Sequence, residues 1–122
     1  MAEFVKFSMP EELRARQAML LEKIKKSGKV KIGANEATKA AERGSAKLIV
    51  VAEDVSPPEI VMHLPLICRE KNIPFSYVST KKGLGQYVGI AVGTSAIAIL
   101  DEGDQKKELA DFAKKLQEIA KQ

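Results

Sequence analysis

The chain is predicted to fold as an α/β domain, a three-layer α/β/α sandwich on a small mixed four-stranded sheet. Residues 47–52 (KLIVVA) contain a continuous apolar run, which is typical of a strand covered on both faces. Segments with helical periodicity precede and follow this run, so helices are expected on either side of the sheet. We expect one domain over residues 1–122, long enough to form a hydrophobic core without disulfides or metals.

The first helix is predicted from a start signal and an apolar stripe. Ser8, Pro10 and Glu11 supply the start signal, since these residue types are favoured where helices begin. The stripe consists of Leu13, Gln17, Leu20, Leu21 and Ile24. It stops at Gly28, after which the alternation of residues 29–32 predicts a short strand.

A second, short helix is predicted between Gly33 and Gly44, because glycine is favoured just after a last helical turn. Alanines at helical spacing give it a small apolar back that can lie close to a sheet. Its opposite face carries Asn35, Glu36, Lys39, Glu42 and Arg43. From these residues alone, Asn35 could cap the helix while Glu36 complements the helix dipole. Alternatively, the helix start and Lys31 could receive phosphate while Asn and Glu bond base edges.

The second half of the chain continues the alternation of helices and strands. Pro57 and Pro58 are predicted to open a helical stretch, which Pro65 should break or kink. Two further strands and a closing amphipathic helix are predicted at residues 75–79, 97–100 and 104–122.

Composition narrows the class of protein. Twenty Lys and Arg against sixteen Asp and Glu give a net charge of +4, which is compatible with a polyanionic partner. The longest apolar runs have the length of a strand and are too short to cross a bilayer, so we expect no membrane segment and a cytoplasmic location. A single cysteine cannot form an internal disulfide, as fits a reducing compartment.

An ordered series of motifs runs from residue 31 to residue 100. It comprises KIGANEATK at 31–39, ERG at 42–44, AKLIVVAEDV at 46–55, Pro57, EIV at 59–61, HLP at 63–65, Cys68, IPF at 73–75, Lys81 and LG at 84–85. This series resembles the kink-turn RNA-binding family of the archaeal large-subunit ribosomal protein L-seven-Ae. An ordered string of this length is far more specific than any single short motif.

The resemblance implies a ribosomal protein that recognises and stabilises kink-turn RNA, a sharply bent duplex with tandem sheared guanine–adenine pairs. It implies a place in the large ribosomal subunit and in box C/D guide-RNA modification particles, with structured RNA and the proteins of those particles as partners. It further implies a monomer when free, with neither catalysis nor a cofactor.

The resemblance also assigns RNA-contacting residues. Positions matching Asn35, Glu36 and Lys39 contact the edges of the sheared pairs, and the position matching Arg43 lies towards the backbone. Positions matching Ile60 and Lys81 hold a flipped-out base, and residues 90–95 form a second contact. The full predicted set is Lys31, Gly33, Asn35, Glu36, Thr38, Lys39, Arg43, Ile60, Lys81, Ile90, Ala91, Val92, Gly93, Thr94 and Ser95.

The chain departs from the family pattern at two positions. Many members of the family carry proline where this chain has Gly93, and Pro58 follows the expected Pro57. The first departure lies in the loop of residues 90–95, and the second lies just before Ile60.

Two other functions can be drawn from the same sequence. A small Rossmann-like enzyme or nucleotide-binding domain could use Glu53, Asp54 and the glycine segment 83–89, and a protein-interaction module could use the C-terminal helix. The glycine spacing does not match a dinucleotide loop and predicts a tight turn with close helix packing. For the carboxylates we favour a rim and capping role.

His63 and Cys68 are the only histidine and cysteine of the chain. Neither has a partner at the spacing of metal ligands, so we predict that both are packing residues and expect no metal site.

Overall fold

The computed structural model describes residues 4–120, in which five α-helices surround a four-stranded sheet. The helices are α1 Glu11–Ser27, α2 Ala34–Glu42, α3 Leu64–Lys71, α4 Lys81–Tyr87 and α5 Lys106–Ala120. The strands are β1 Lys29–Ile32, β2 Leu48–Ala52, β3 Phe75–Val78 and β4 Ala96–Asp101. Short 3-10 turns form at Pro58–Ile60 and Gly103–Gln105. The last two residues of the predicted closing helix lie outside the described range.

The sheet is mixed, as predicted. Its strand order is β1-β4-β2-β3, with β2 parallel to β3 and antiparallel to β4, and β1 antiparallel to β4. Every residue of β2 is buried, since this strand has a neighbour on each side and helices over both faces. The continuous apolar run in the sequence therefore marks a central strand.

Helices cover both faces, which confirms the three-layer architecture. Successive residues of a strand point to opposite faces. Ser76 of β3 bonds the buried Gln17 of α1, whose amide nitrogen donates to the Tyr77 carbonyl at 2.9 Å. The Tyr77 side chain points the other way, and its hydroxyl donates to the Phe4 carbonyl at 2.6 Å. Helix α1 packs with α4 and α5, while α2 packs with α3.

The prediction for Pro65 is wrong. Helix α3 begins at Leu64, so Pro65 lies in its first turn, where a missing N–H removes no helical hydrogen bond. The preceding stretch is a 3-10 turn followed by irregular turns, not a regular helix. At the first helix, Pro10 of the predicted start signal takes the N-cap position, and its carbonyl accepts the N–H of Arg14 at 3.0 Å.

The glycine segment forms a helix where a tight turn was predicted. Thr80 caps α4 by accepting the N–H of Gly83 at 3.0 Å. The predicted close packing is confirmed, because a Cβ on Gly85 would lie 2.1 Å from the carbonyl oxygen of Val92. Glycine at this position therefore lets the loop of residues 90–95 lie directly on α4.

Replacing Gly85 with alanine should destabilise the fold, because the new methyl group would push the Val92 backbone away from α4. We expect Gly85→Ala to lower the free energy of unfolding by about 1–3 kcal/mol in urea denaturation followed by circular dichroism. Gly83→Ala is the matched control in the same helix. Its added Cβ would lie 3.0 Å from the Thr80 hydroxyl, a side-chain atom that needs to move by only a few tenths of an ångström, so its stability should stay within about 1 kcal/mol of wild type. Equal stabilities for the two variants would contradict the packing argument.

Candidate nucleic-acid interface

Four segments converge at one edge of the sheet, which we call the α2 edge. Because β1 and β4 are antiparallel, β1 ends at Ile32 beside the start of β4 at Ala96. Strands β2 and β3 end at the same edge, at Ala52 and Val78. The start of α2, the segment after β2, the start of α4 and the loop of residues 90–95 are therefore neighbours.

Glycines bound α2 at both ends, as predicted. Gly33 has φ 108°, a conformation that L side chains rarely adopt, and its N–H donates to the Ala96 carbonyl at 2.8 Å. At the other end Gly44 has φ 68°. The N–H groups of Gly44 and Ser45 donate to the carbonyls of residues 41 and 40, each at 3.0 Å, which is the Schellman pattern.

The outward face of α2 is polar and accessible. The buried back of the helix consists of Ala37, Ala40 and Ala41. The exposed fractions of the Lys39 and Glu36 side chains are 58% and 43%, and these side chains form a loose ion pair at 3.6 Å. Exposed pairs of this kind contribute little to stability, so both charges can be redirected to a partner.

Asn35 does not cap α2. The N-cap residue is Gly33, and Asn35 is exposed at the second helical position. Within residues 4–120 its side-chain amide forms no hydrogen bond. The capping interpretation is therefore wrong for Asn35, and the amide can bond an external group.

Thr38 differs from the other predicted contacts on α2. It is half-buried on the flank that faces α3. Its hydroxyl donates to the Ala34 carbonyl at 2.7 Å and lies 2.7 Å from Nε2 of His63. His63, predicted only to pack, is thus half-buried and hydrogen-bonded. The sequence offers no signal for this pairing, since the two residues are 25 positions apart.

The carboxylates after β2 have structural partners. Glu53 accepts a hydrogen bond from the Arg14 guanidinium at 2.8 Å, and the same guanidinium donates to the Ser79 hydroxyl at 2.9 Å. Asp54 accepts the backbone N–H of Lys81 at 2.8 Å and so secures the start of α4. These partners agree with the predicted rim and capping role of the two carboxylates.

The loop of residues 90–95 is anchored at both ends. The Ile90 N–H donates to the Gly85 carbonyl at 3.0 Å, and the Thr94 N–H donates to the Lys81 carbonyl at 3.1 Å. The Ser95 carbonyl accepts the N–H of residue 52 at 2.9 Å. These bonds attach the loop to both α4 and the sheet.

Side chains of this loop differ in accessibility. Ala91, Val92 and Gly93 are exposed, and Val92 has an exposed fraction of 70%. Ile90 is half-buried against the core, and the buried Thr94 hydroxyl donates to a backbone carbonyl at 3.1 Å. The exposed part of the loop is therefore centred on Val92.

Gly93 lies against the start of α4. A Cβ on Gly93 would lie 3.1 Å from both the carbonyl carbon and the Cβ of Lys81. Glycine therefore permits a close approach of the loop to the helix at this position.

Ile60 and Lys81 are both accessible. Ile60 ends the 3-10 turn with an exposed fraction of 42%, and the following Val61 is buried. Met62, at 38%, is exposed beyond it and was not predicted. Residues 60–62 are all apolar and alternate between exposed and buried. This alternation could have indicated that Met62 is exposed, but only after a turn had been recognised there. Lys81 is exposed, while its backbone is bonded to the segment after β2.

The range of residues 4–120 holds no group of three or more His, Cys, Asp or Glu side chains that could bind a metal ion. It also contains no helix with both the length and the apolar character needed to span a bilayer.

Burial raises the pKa of the Cys68 thiol to about 12, from an ordinary value of 9.0. The folded protein thus holds the thiol proton more tightly than the unfolded chain does. This contribution to stability is complete below the ordinary pKa and is lost as the pH rises towards the folded value.

Alkaline pH should therefore destabilise the wild-type protein partly through Cys68. We expect this residue to account for a loss of about 2 kcal/mol in unfolding free energy between about pH 8.5 and about pH 10.5. Cys68→Ala should be less stable than wild type at the lower pH. Over this pH range, however, its unfolding free energy in urea titrations should fall by about 2 kcal/mol less than that of wild type. Burial also raises the pKa of Tyr77 to about 12; since burial is the largest cause and Cys68 a smaller one, most of the Tyr77 effect is common to both proteins. Parallel pH profiles would contradict the assignment.

Comparison with known proteins extends over most of the chain. The model of the Ribosomal protein L7Ae/L30e/S12e/Gadd45 family matches residues 16–109. Among solved structures, the Giardia lamblia 15.5kD RNA binding protein superposes with a TM-score of 0.87 at 30% sequence identity. That superposition covers 98% of this chain and 99% of the Giardia lamblia chain. The match therefore extends over nearly all of the chain, including the four segments of the α2 edge.

Proposed function

The chain belongs to the Ribosomal protein L7Ae/L30e/S12e/Gadd45 family, and from this premise we propose that it binds RNA at the α2 edge and recognises kink-turns. The observation that carries the proposal is the convergence there of an exposed polar helix face with two exposed apolar side chains, Val92 and Ile60. The similarity to a protein named for RNA binding supports the same class of ligand.

The polar face of α2 offers the chemistry that sheared guanine–adenine pairs need. The Asn35 amide can donate and accept at once, and the Glu36 carboxylate can accept from the amino and imino groups of guanine. Lys39 can donate to the O6 or N7 of guanine. Lys31 and Arg43 are exposed near the two ends of the helix, where they can bond the phosphate backbone.

The apolar side chains suit bases that have left the stack. Sequence-specific RNA binding commonly uses unstacked bases, which need apolar or aromatic contact once they are exposed. In the proposed complex Val92 contacts bases at the bend, while Ile60 and Lys81 hold an extruded base. Without a partner these exposed side chains would leave apolar surface in water.

Binding to this preformed surface would stabilise the bend. Hydrogen bonds fix the start of α2 and the loop of residues 90–95 against the sheet. In the proposed complex the kinked duplex contacts both elements at once, and a straight duplex does not. A ligand that binds one conformer more tightly shifts the population towards it. We propose that the protein does this in the cytoplasm, within the large ribosomal subunit and box C/D guide-RNA particles.

Truncation of the base-reading side chains should weaken binding to a kink-turn RNA. We expect Asn35→Ala and Glu36→Ala each to reduce affinity by about 1–3 kcal/mol, the value of a good base-edge contact. Gel-shift titration would measure this effect, and the melting temperature should hardly change because both side chains are exposed.

Glu108→Ala provides the matched control. Glu108 is also an exposed acid in the first turn of a helix, but it lies on α5, which begins after β4 has reached the opposite edge of the sheet. Its loss should leave RNA affinity unchanged. The assignment of α2 fails if the double variant Asn35→Ala, Glu36→Ala binds as tightly as wild type.

A charge on the loop should oppose binding from the other side of the interface. Val92→Glu places a carboxylate where the proposal has bases and nearby phosphates, so we expect at least about a tenfold loss of affinity. Met19→Glu introduces the same charge at an exposed apolar position on α1, beside the start of α5, and should bind normally. Wild-type affinity in Val92→Glu, with an unchanged circular-dichroism spectrum, would remove this loop from the interface.

A further inference from the structure

Three polar groups in succession join the first turn of α2 to the segment that carries Ile60. The Thr38 hydroxyl donates to the Ala34 carbonyl at 2.7 Å and lies 2.7 Å from Nε2 of His63. A hydroxyl has one hydrogen. With that hydrogen on Ala34, the Thr38 oxygen accepts from His63 in the tautomer that carries its hydrogen on Nε2, and we assign this tautomer to His63. Removing either side chain would break the connection between the two segments.

Backbone hydrogen bonds couple the position of Ile60 to that of His63. Between these residues the N–H groups of Val61 and Met62 both donate to the Pro58 carbonyl, at 3.1 and 3.0 Å. Ile60 belongs to the 3-10 turn that begins at Pro58. Consecutive turns of this kind leave the short segment little freedom, so a displacement at His63 would move the Ile60 side chain.

Burial alone does not define this position. Val61 and Leu64 are fully buried and hold the segment on the core. Apolar burial is non-directional, so it fixes the depth of the segment better than its position along α2. The hydrogen bond from His63 to Thr38 is directional and joins the segment to one turn of α2.

We propose that Thr38 and His63 are positioning residues that fix Ile60 relative to the base-reading face of α2. Contact with an extruded base then depends on the position of Ile60 relative to α2, the helix whose Asn35 and Glu36 bond the sheared pairs. This inference rests on the proposed function. It also gives Thr38 a role other than the predicted RNA contact, because its hydroxyl already has Ala34 and His63 as partners.

Two forms of one kink-turn RNA test the proposal, the first with its extruded base and the second with an abasic nucleotide at that position. The ratio of their affinities measures the contacts that Ile60 and Lys81 make to that base, and only the Ile60 contact is expected to change in the variants below. For the wild-type protein we expect a ratio on the order of tenfold. Thr38→Val and His63→Leu, which remove the acceptor and the donor, should lower it to about threefold or less.

Conservative variants provide the matched controls. Thr38→Ser keeps a hydroxyl acceptor and His63→Gln keeps an amide donor at similar reach, so both should retain the wild-type ratio. Thr38→Val has nearly the shape of threonine, and comparison of Thr38→Val with Thr38→Ser decides the question even if His63→Leu does not fold.

The outcomes separate this proposal from the function on which it rests. If Thr38→Val weakens the binding of both RNAs by the same factor and so keeps the wild-type ratio, the two residues are only structural and the positioning role is overturned. Equal binding of kinked and straightened RNA by the wild-type protein would instead overturn the proposed function, and the positioning role with it.

Discussion

Strand β1 pairs with β4 in an antiparallel register that sets Ile32 opposite Ile97, and one further bond runs from the Gly33 N–H to the Ala96 carbonyl. This pairing brings the start of α2 beside the end of the loop of residues 90–95, although more than fifty residues separate them in the chain. A slip of one residue would turn every side chain of β1 to the other face. The geometry of the α2 edge depends on this register.

Much of this architecture could be predicted because local signals and tertiary structure agree. The apolar run of β2 reflects burial on both faces, and the two glycines around α2 adopt the positive φ values that their positions require. The polar and alanine faces of α2 follow helical periodicity, so the exposure of Asn35 could be predicted as well. These features depend on residues close together in the chain.

The features that were missed depend on contacts between distant residues. Pro65 lies at a helix start because the chain turns irregularly before α3, and its own sequence signal cannot distinguish a start from a break. Helix α4 forms despite two glycines, since capping by Thr80 and packing against the loop outweigh their poor helix propensity. The bond between Thr38 and His63 likewise joins elements whose proximity is set by the sheet, so periodicity could not reveal it.

The central claim is that the α2 edge recognises the shape and bases of a kink-turn, not merely its charge. The most direct measurement compares affinities for a kink-turn RNA and for the same RNA straightened by Watson–Crick pairs, at low and physiological salt. Each phosphate contact should contribute a slope near −0.7 to −0.9 in log affinity against log salt, for either RNA. Base-edge contacts are screened much less, so the preference for the kinked RNA should persist or widen as salt rises. Equal affinities at physiological salt would show a general polyanion binder and contradict the account.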